Sequence, residues 1–291
     1  MKTLIILAAG NGTRFGGPKQ LTGFGPLQRP LMAYNIDHAY QAGYRQFIIV
    51  CQQQHENSIK ALPFYQYYTD CTYHIVIQSN QHLPTSVVTA VEHEKPLGTA
   101  HALWCCHQLI TDNFTVINGD DYYGAHAFKL LFDANLQNNQ QHHLVGYPVI
   151  NTLSEHGGVN RGLCAMSAQN HLTHIAEATN IFCRETNTVI GQSDNGNIIN
   201  IEKNTLVSMN CWSFHPSIIN SLATLIAQLL NSPQSTKECF LPDAAMRTIK
   251  EGKYSISVLT SHDDWFGVTY AADSKLVNEK LAKLTEKGLF H

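Results

Sequence analysis

The stretch Thr3-Leu4-Ile5-Ile6-Leu7-Ala8-Ala9-Gly10-Asn11-Gly12-Thr13-Arg14-Phe15-Gly16-Gly17-Pro18-Lys19-Gln20 joins an apolar run to a glycine-rich loop that carries two cations. Residues 3–8 are β-branched or apolar without alternation, which predicts a strand buried on both faces of a sheet. Its small end, Ala8-Ala9-Gly10, lets a flat base approach the backbone. Glycines then allow main-chain N–H groups to turn towards phosphate oxygens with no Cβ in the way. Arg14 offers a planar fork of donors and Lys19 a compact second charge. Two cations around one glycine loop suit a triphosphate better than a neutral ligand.

Two better-known glycine motifs do not fit. A P-loop requires G-x-x-x-x-G-K-[ST], whereas here Lys19 follows Pro18 and Gln20 replaces the hydroxyl. A dinucleotide fingerprint requires G-x-G-x-x-G and an acid at the end of the next strand. Gly10, Gly12 and Gly16 miss that spacing by one residue, and the next strand ends in Gln52-Gln53-Gln54.

Outward from the loop, Pro30 opens a helix over 30–42 that Gly43 stops. Strands are predicted at 47–51, 74–78 and 114–118, with a mostly apolar helix at 97–109 before the last. This β-α-β order predicts an α/β fold, a Rossmann-like and mostly parallel sheet flanked by helices. From 146 to about 214 the pattern changes to short strands broken by Gly, Asn and Ser, including 144–149 and 207–214. That predicts a smaller β-rich region added at one edge of the main sheet. Helices return at 216–230, 243–252 and 273–287, ahead of Gly288. No repeat or low-complexity linker interrupts the chain, so one domain over 1–291 is expected.

Of the 291 residues 44% are hydrophobic and 14% charged, the balance of a globular chain. The formal net charge is −3 with histidines neutral. This argues against a nucleic-acid partner, which needs clustered Lys and Arg. Phosphate chemistry is therefore expected locally, from a few basic residues in a cleft. The apolar start is too short for a signal peptide and lacks a small-residue cleavage site, and no stretch is long enough to cross a membrane. Eight cysteines with no C-x-x-C pair predict reduced thiols and a cytoplasmic setting. His101 and Cys105, four apart, have the spacing to share a metal on one helical face. Ordinary core packing is the expected reading, because free Cys is among the most buried residue types.

Leu7-Ala8-Ala9-Gly10-Asn11-Gly12-Thr13-Arg14 with Pro18-Lys19 resembles the signature of the nucleotidyltransferases that make nucleotide-sugars. Those enzymes join an NTP to a sugar 1-phosphate and release pyrophosphate. Pro96-Leu97-Gly98-Thr99-Ala100-His101-Ala102 is similar to that family's second nucleotide-binding segment, and Ile117-Asn118-Gly119-Asp120-Asp121 to its metal-binding strand end. Glu177, Val207-Ser208-Met209-Asn210 and Trp265-Phe266-Gly267-Val268-Thr269 match its sugar and metal segments more loosely.

The resemblance implies a nucleotide-diphospho-sugar transferase-like fold, with a nucleotide-binding half of about 1–145 and an acceptor-binding half of about 146–291. It implies Mg²⁺ as cofactor, and an NTP and a phosphorylated small molecule, foremost a sugar 1-phosphate, as partners. Arg14, Lys19 and Asp120 are the catalytic set. Leu7 is nucleotide-binding, Ala8, Ala9 and Gly10 contact the base, Gly12, Thr13 and Arg14 hold the phosphates, and Gly98 and Thr99 belong to the second nucleotide segment. Gln78 either reads the base edge, as a Gln often does in this family, or is a loop residue ahead of the long 79–95 stretch.

Neighbouring strand residues face opposite ways, so one of Asp120 and Asp121 faces the site. Motif position favours Asp120 as the Mg²⁺ ligand and leaves Asp121 as a hydrogen-bonding neighbour or helix cap. The second metal position falls at Thr269, where much of the family has Asp or Asn. Asp264 and Asp273 flank it, and substrate oxygens with water are a further option. On the acceptor side Gly146, Gly162, Glu177, Ser208 and Asn210 match, and Arg161 is a candidate for the acceptor's phosphate. Trp212 and Trp265 read as core residues. A cytidylyltransferase acting on a polyol or alcohol phosphate keeps the fold and the Pro18-Lys19-Gln20 run. A catalytically weak nucleotide sensor is the reading that Thr269 favours. Base, sugar and oligomeric state are not legible in the sequence.

Overall fold

The computed structural model describes residues 2–10, 15, 17–88, 96–137, 141–154, 157–184, 186–232, 238–268 and 271–290. Its first strand, β1 (Thr3–Leu7), is buried along its whole length, as an unbroken apolar run requires. There follow α1 (Leu31–Ala42), β2 (Gln46–Cys51), α2 (Glu56–Lys60), α3 (Phe64–Tyr67), β3 (Thr72–Ile77), α4 (Thr99–Trp104) and β4 (Phe114–Asn118). β1 pairs in parallel with β2 and with β4, and β2 with β3. Ile6 and Ile49 pack under one face of this block and Ile5 and Ile48 under the other, so helices cover both.

Local signals set the boundaries. Pro30 caps α1 with extended backbone, and Gly43 ends it at φ 111°. A Cβ there is strained by conformation and would also meet the Phe132 ring. The expected helix over 97–109 is shorter in the fold. Gly98, at φ 92°, keeps the chain out of α4, and a 3-10 turn over His107–Leu109 replaces its end.

The second half runs β5 (Asp121–Tyr122), α5 (Ala125–Gln137), β6 (His142–Pro148), β7 (Val159–Met166), β8 (Leu172–Cys183), β9 (Val189–Ser193), β10 (Ile198–Ile201), β11 (Leu206–Phe214), α6 (Ile218–Leu230), α7 (Leu241–Lys250), β12 (Ile256–Thr260), β13 (Phe266–Gly267) and α8 (Asp273–Glu286). Among the described residues eleven strands form one sheet in the order β10-β9-β8-β7-β11-β4-β1-β2-β3, with β6 beside β11 and β12 beside β6. The strands added at the edge, β7 to β10, are antiparallel. β11 joins the two regions. Ser208 pairs with Gly162 of β7, Trp212 pairs with Val116 of β4, and the register against β6 shifts in between.

The ribbon β5–β13 stands apart from the large sheet. Around it Phe24, Leu31, Tyr34, Tyr122, Phe266, Val268, Leu281 and Phe290 form a third apolar cluster that seats α8 against the segment after the glycine loop. A buried ion pair, Arg29 to Asp37 at 2.5 Å, ties that segment to α1, and Tyr68 donates to the other Asp37 oxygen at 2.8 Å. No helix among the described residues is long and apolar enough to cross a membrane. All eight cysteines are free thiols.

Candidate active site

The ends of β1, β2 and β4 lie level at one edge. Ala8 N donates to Val50 O at 2.7 Å, and Gly119 N to Leu7 O at 2.9 Å. Leu7, Ala8 and Ala9 are buried there, and Gly10 is exposed. Gln52 and Gln20 donate their amide N–H groups to Ala9 O and Gly10 O, each at 2.8 Å, and so hold the strand end as it leaves the sheet. Gly12, Thr13 and Arg14 lie outside the described residues. Beyond them the chain returns in a 3-10 turn, Lys19–Leu21.

That turn brings Lys19 back to the sheet edge. Its ammonium forms an ion pair with Asp120 and donates to Val268 O at 3.2 Å, while Val268 N donates to Asp120 O at 3.4 Å. Both side chains of the pair keep 20% of their surface exposed. Asp121, beside it, turns inward. Its carboxylate accepts from Asn118 Nδ2 at 2.9 Å and from the Tyr123 hydroxyl at 3.3 Å. Burial and then the Asp120 charge push Asp121 up to about 7, against the pull of Asn118, Lys19 and Arg161.

Asn118 also accepts, through Oδ1, from Asn210 Nδ2 at 3.1 Å, and Asn210 Oδ1 accepts from Trp212 Nε1 at 2.9 Å. Asn210 sits at φ 63° where the register of β11 shifts. Its amide is thus engaged inside the sheet, in a chain running from the buried Trp212 to Asp121. Sequence reasoning missed this chain. The available signal was a side-chain amide at the end of one strand, Asn118, and another in the middle of a second, Asn210.

The positions expected on the acceptor side form a line. Gly146 pairs with Ser208, Ser208 with Gly162, and Gly162 with Glu177, so four strands contribute one row on one face. Gly162 lies between Ser208 and the exposed Glu177, and a Cβ on it would meet the Ile175 side chain at 2.6 Å; one on Gly146 would meet Leu206 at 3.1 Å. Arg161, next to Gly162 on β7, points to the opposite face, its guanidinium 4.9 Å from the centre of the Trp265 ring.

The segment expected to be the second nucleotide segment is clamped against the chain entering α7. Thr99 Oγ1 accepts from Leu241 N at 2.9 Å, Cys239 N donates to Leu97 O at 2.8 Å, and a Cβ on Gly98 would lie 2.5 Å from Cys239 O. Gln78 Nε2 reaches Gly98 O at 3.1 Å and His101 Nδ1 at 3.3 Å. Accepting at Nδ1 puts the His101 proton on Nε2, which donates to His82 O at 3.0 Å. His101 is packed and neutral, with Cys105 Sγ 3.7 Å away.

Thr269 lies outside the described residues. Asp264 pairs with Lys280 at 3.6 Å, with that ammonium over the Phe266 ring on the α8 side, and Asp273 is buried at the start of α8. The structure brings neither to Asp120. The donors around Asp120 still fit a hard dication. They are the carboxylate oxygens of Asp120 and Asp121, and since the described residues hold no group of three or more His, Cys, Asp or Glu that could bind an ion, protein ligands alone would not suffice. An ion on Asp120 would take its other ligands from phosphate oxygens and water, as Mg²⁺ does.

Residues 3–265 match the family described as nucleotidyl transferase. The chain belongs to that family. It is 29% identical over 140 residues to a UTP--glucose-1-phosphate uridylyltransferase from Komagataeibacter xylinus, a match covering 42% of this chain and 46% of the relative. The match therefore spans less than half of that relative's length. Among solved structures, the inositol-1-phosphate CTP transferase from T. maritima superposes with a TM-score of 0.66 at 15% identity, over 100% of this chain and 98% of the other. A Bacillus anthracis structure described as a glucose-1-phosphate thymidylyltransferase, in complex with a sucrose, gives 0.65 at 12% identity, over 97% and 96%. At these identities the likeness establishes the fold, that of nucleotide-diphospho-sugar transferases.

Proposed function

We propose that the chain is an enzyme joining an NTP to a sugar 1-phosphate, with release of pyrophosphate and formation of an NDP-sugar. The observation that carries this reading is the meeting of Lys19 with Asp120 at the sheet edge next to the glycine-rich loop. The relative named for UTP and glucose 1-phosphate supports the same substrate classes. Eight free thiols favour a reducing compartment such as the cytoplasm.

In the reaction, an oxygen of the acceptor's phosphate attacks the α-phosphorus in line. The new P–O bond forms as the bond to the bridging oxygen breaks, and pyrophosphate leaves with that electron pair. The nucleophile is already ionised at neutral pH, so positioning and charge neutralisation do most of the catalysis. Lys19 stabilises charge building on the α-phosphoryl oxygens, and Arg14 holds the phosphates ahead of it. Asp120 would hold Mg²⁺, which when bound would offset phosphate repulsion. Gly146, Gly162, Ser208 and Glu177 meet the acceptor's ring.

A second reading, a CTP-dependent enzyme for a polyol phosphate, rests on the Pro18-Lys19-Gln20 run. Pyrophosphate release from each of UTP, dTTP, CTP, ATP and GTP, crossed with glucose 1-phosphate, inositol 1-phosphate and glycerol phosphate, separates the two. Mg²⁺-dependent release with any pair excludes a mere sensor. Release with none, at protein concentrations where NTP binding is measurable, overturns the enzyme reading.

A further inference from the structure

Two carboxylates, Asp120 and Asp121, stand side by side just past the end of β4, and one ammonium, that of Lys19, meets them there. Lys19 pairs with Asp120, although its charge and that of Asp120 both act on Asp121. Two neighbouring aspartates do not by themselves decide which of them a flexible lysine takes. The choice has to be built into their surroundings.

Asp121 sits in a slot formed by several elements. Its Oδ2 accepts from Asn118 Nδ2 at 2.9 Å and from the Tyr123 hydroxyl at 3.3 Å. Its main-chain oxygen accepts from Asn35 Nδ2 at 2.6 Å, and Asn35 Oδ1 accepts the Tyr123 N–H at 3.2 Å. The buried Asn35 of α1 thus grips the backbone on both sides of Tyr122. Asp121 Oδ1 takes the space that a side chain would need at Gly267, its partner in the β5–β13 ribbon.

The direction of the Asn118 bond is fixed from a distance. An indole N–H only donates, so Trp212 Nε1 obliges Asn210 to present its oxygen. Asn210 Nδ2 is then left to donate to Asn118 Oδ1, and Asn118 Nδ2 to donate to Asp121. Trp212 is fully buried, so the fixed end of this chain lies in the core. A donor oriented in this way onto a charged acceptor holds it more firmly than a neutral pair would.

We propose that Asn118 is a positioning residue: by holding Asp121 in its slot it reserves Lys19 for Asp120. It acts through Asp121. The role in turnover rests on the proposed reaction, whereas the slot rests on the hydrogen bonds alone.

Asn118→Asp keeps the shape of the side chain and the bond from Asn210, but turns an oxygen onto Asp121 Oδ2. A crystal structure of this variant is expected to show Asp121 out of its slot and paired with Lys19. With UTP and glucose 1-phosphate, kcat for pyrophosphate release is expected to fall roughly tenfold or more, with both KM values within about threefold. Asn118→Leu, similar in size and uncharged, should behave alike, which separates a lost donor from an added charge. Asn118→Asp combined with Asp121→Asn restores a donor and an acceptor at the same place with the net charge unchanged, and is expected to recover most of kcat. Mere disturbance of the fold at 118 would not be mended by a second change at 121. Asp121 still in its slot in Asn118→Leu, or a double variant no faster than Asn118→Asp alone, overturns the assignment. If wild type releases no pyrophosphate with any pair of substrates, the reaction reading fails, and the place of Asp121 in the variant crystals still decides whether Asn118 holds it off Lys19.

Discussion

Lys19 and Asp120 neutralise each other at the sheet edge, and each is proposed to serve a different phosphate during turnover. Lys19→Ala and Asp120→Asn are each expected to slow pyrophosphate release by about 10²-fold or more, the usual scale for a lost electrostatic stabiliser. A variant that retains near-normal release takes its residue out of the chemistry. Gly267 gives a second single-residue test. A Cβ there would lie 2.2 Å from Asp121 Oδ1, so Gly267→Ala forces a buried carboxylate to move. Overpacking of this kind costs about 1–3 kcal/mol. The expected result is a melting temperature lower by several degrees; an unchanged melt shows that Asp121 moves freely. Lys19 and Asp120 were legible because each stands in a local pattern whose chemistry depends on sequence neighbours. Arg161 was legible as a candidate from its place beside Gly162. Its neighbour Trp265 was not, since that ring arrives from a distant segment and its sequence context reads as core.

Among the elements, the segment entering α1 depends on one buried ion pair, Arg29 with Asp37, whose side chains keep 7% and 2% of their surface. Asp37→Ala strands a buried guanidinium and is expected to cost about 3–5 kcal/mol, whereas Arg29→Met with Asp37→Leu is expected to be far milder. Urea midpoints for the single and double variants check this, and equal losses refute it. The parallel strands β1, β2, β3 and β4 were readable because each is an apolar run closed by turn residues. β8 was not readable as one strand. Its twelve residues change register between Thr179 and Phe182, where Asn180 sits at φ 50°, and the inward–outward alternation loses phase there. β12 is five residues whose partner, β6, lies in a remote segment, so its pairing leaves no local trace.

For the molecule as a whole, buried neutral histidines set an acid limit. His142 is fully buried, its Nδ1 accepts the His215 N–H at 3.1 Å, and burial holds it down at about 3; His38 is likewise held at about 4. In the unfolded chain both take up a proton near the ordinary 6.5, so the unfolded state binds more protons as pH falls. Their contribution to stability is complete above about 6.5 and shrinks on acidification until the folded state protonates too, near 4 for His38 and 3 for His142. By pH 4 each has withdrawn roughly 3 kcal/mol. Urea midpoints should fall steeply between pH 6.5 and 4, and His142→Asn should flatten that fall; parallel profiles would falsify the assignment. The seating of α8 has a consequence for synthesis. Gly25 N donates to Asn278 Oδ1 at 2.6 Å across 253 positions, and Lys19 reaches Val268 O across 249. A ribosome making this chain must translate past residue 278 before the segment after the glycine-rich loop finds these partners, so nascent chains stalled ahead of α8 leave Gly25 without Asn278.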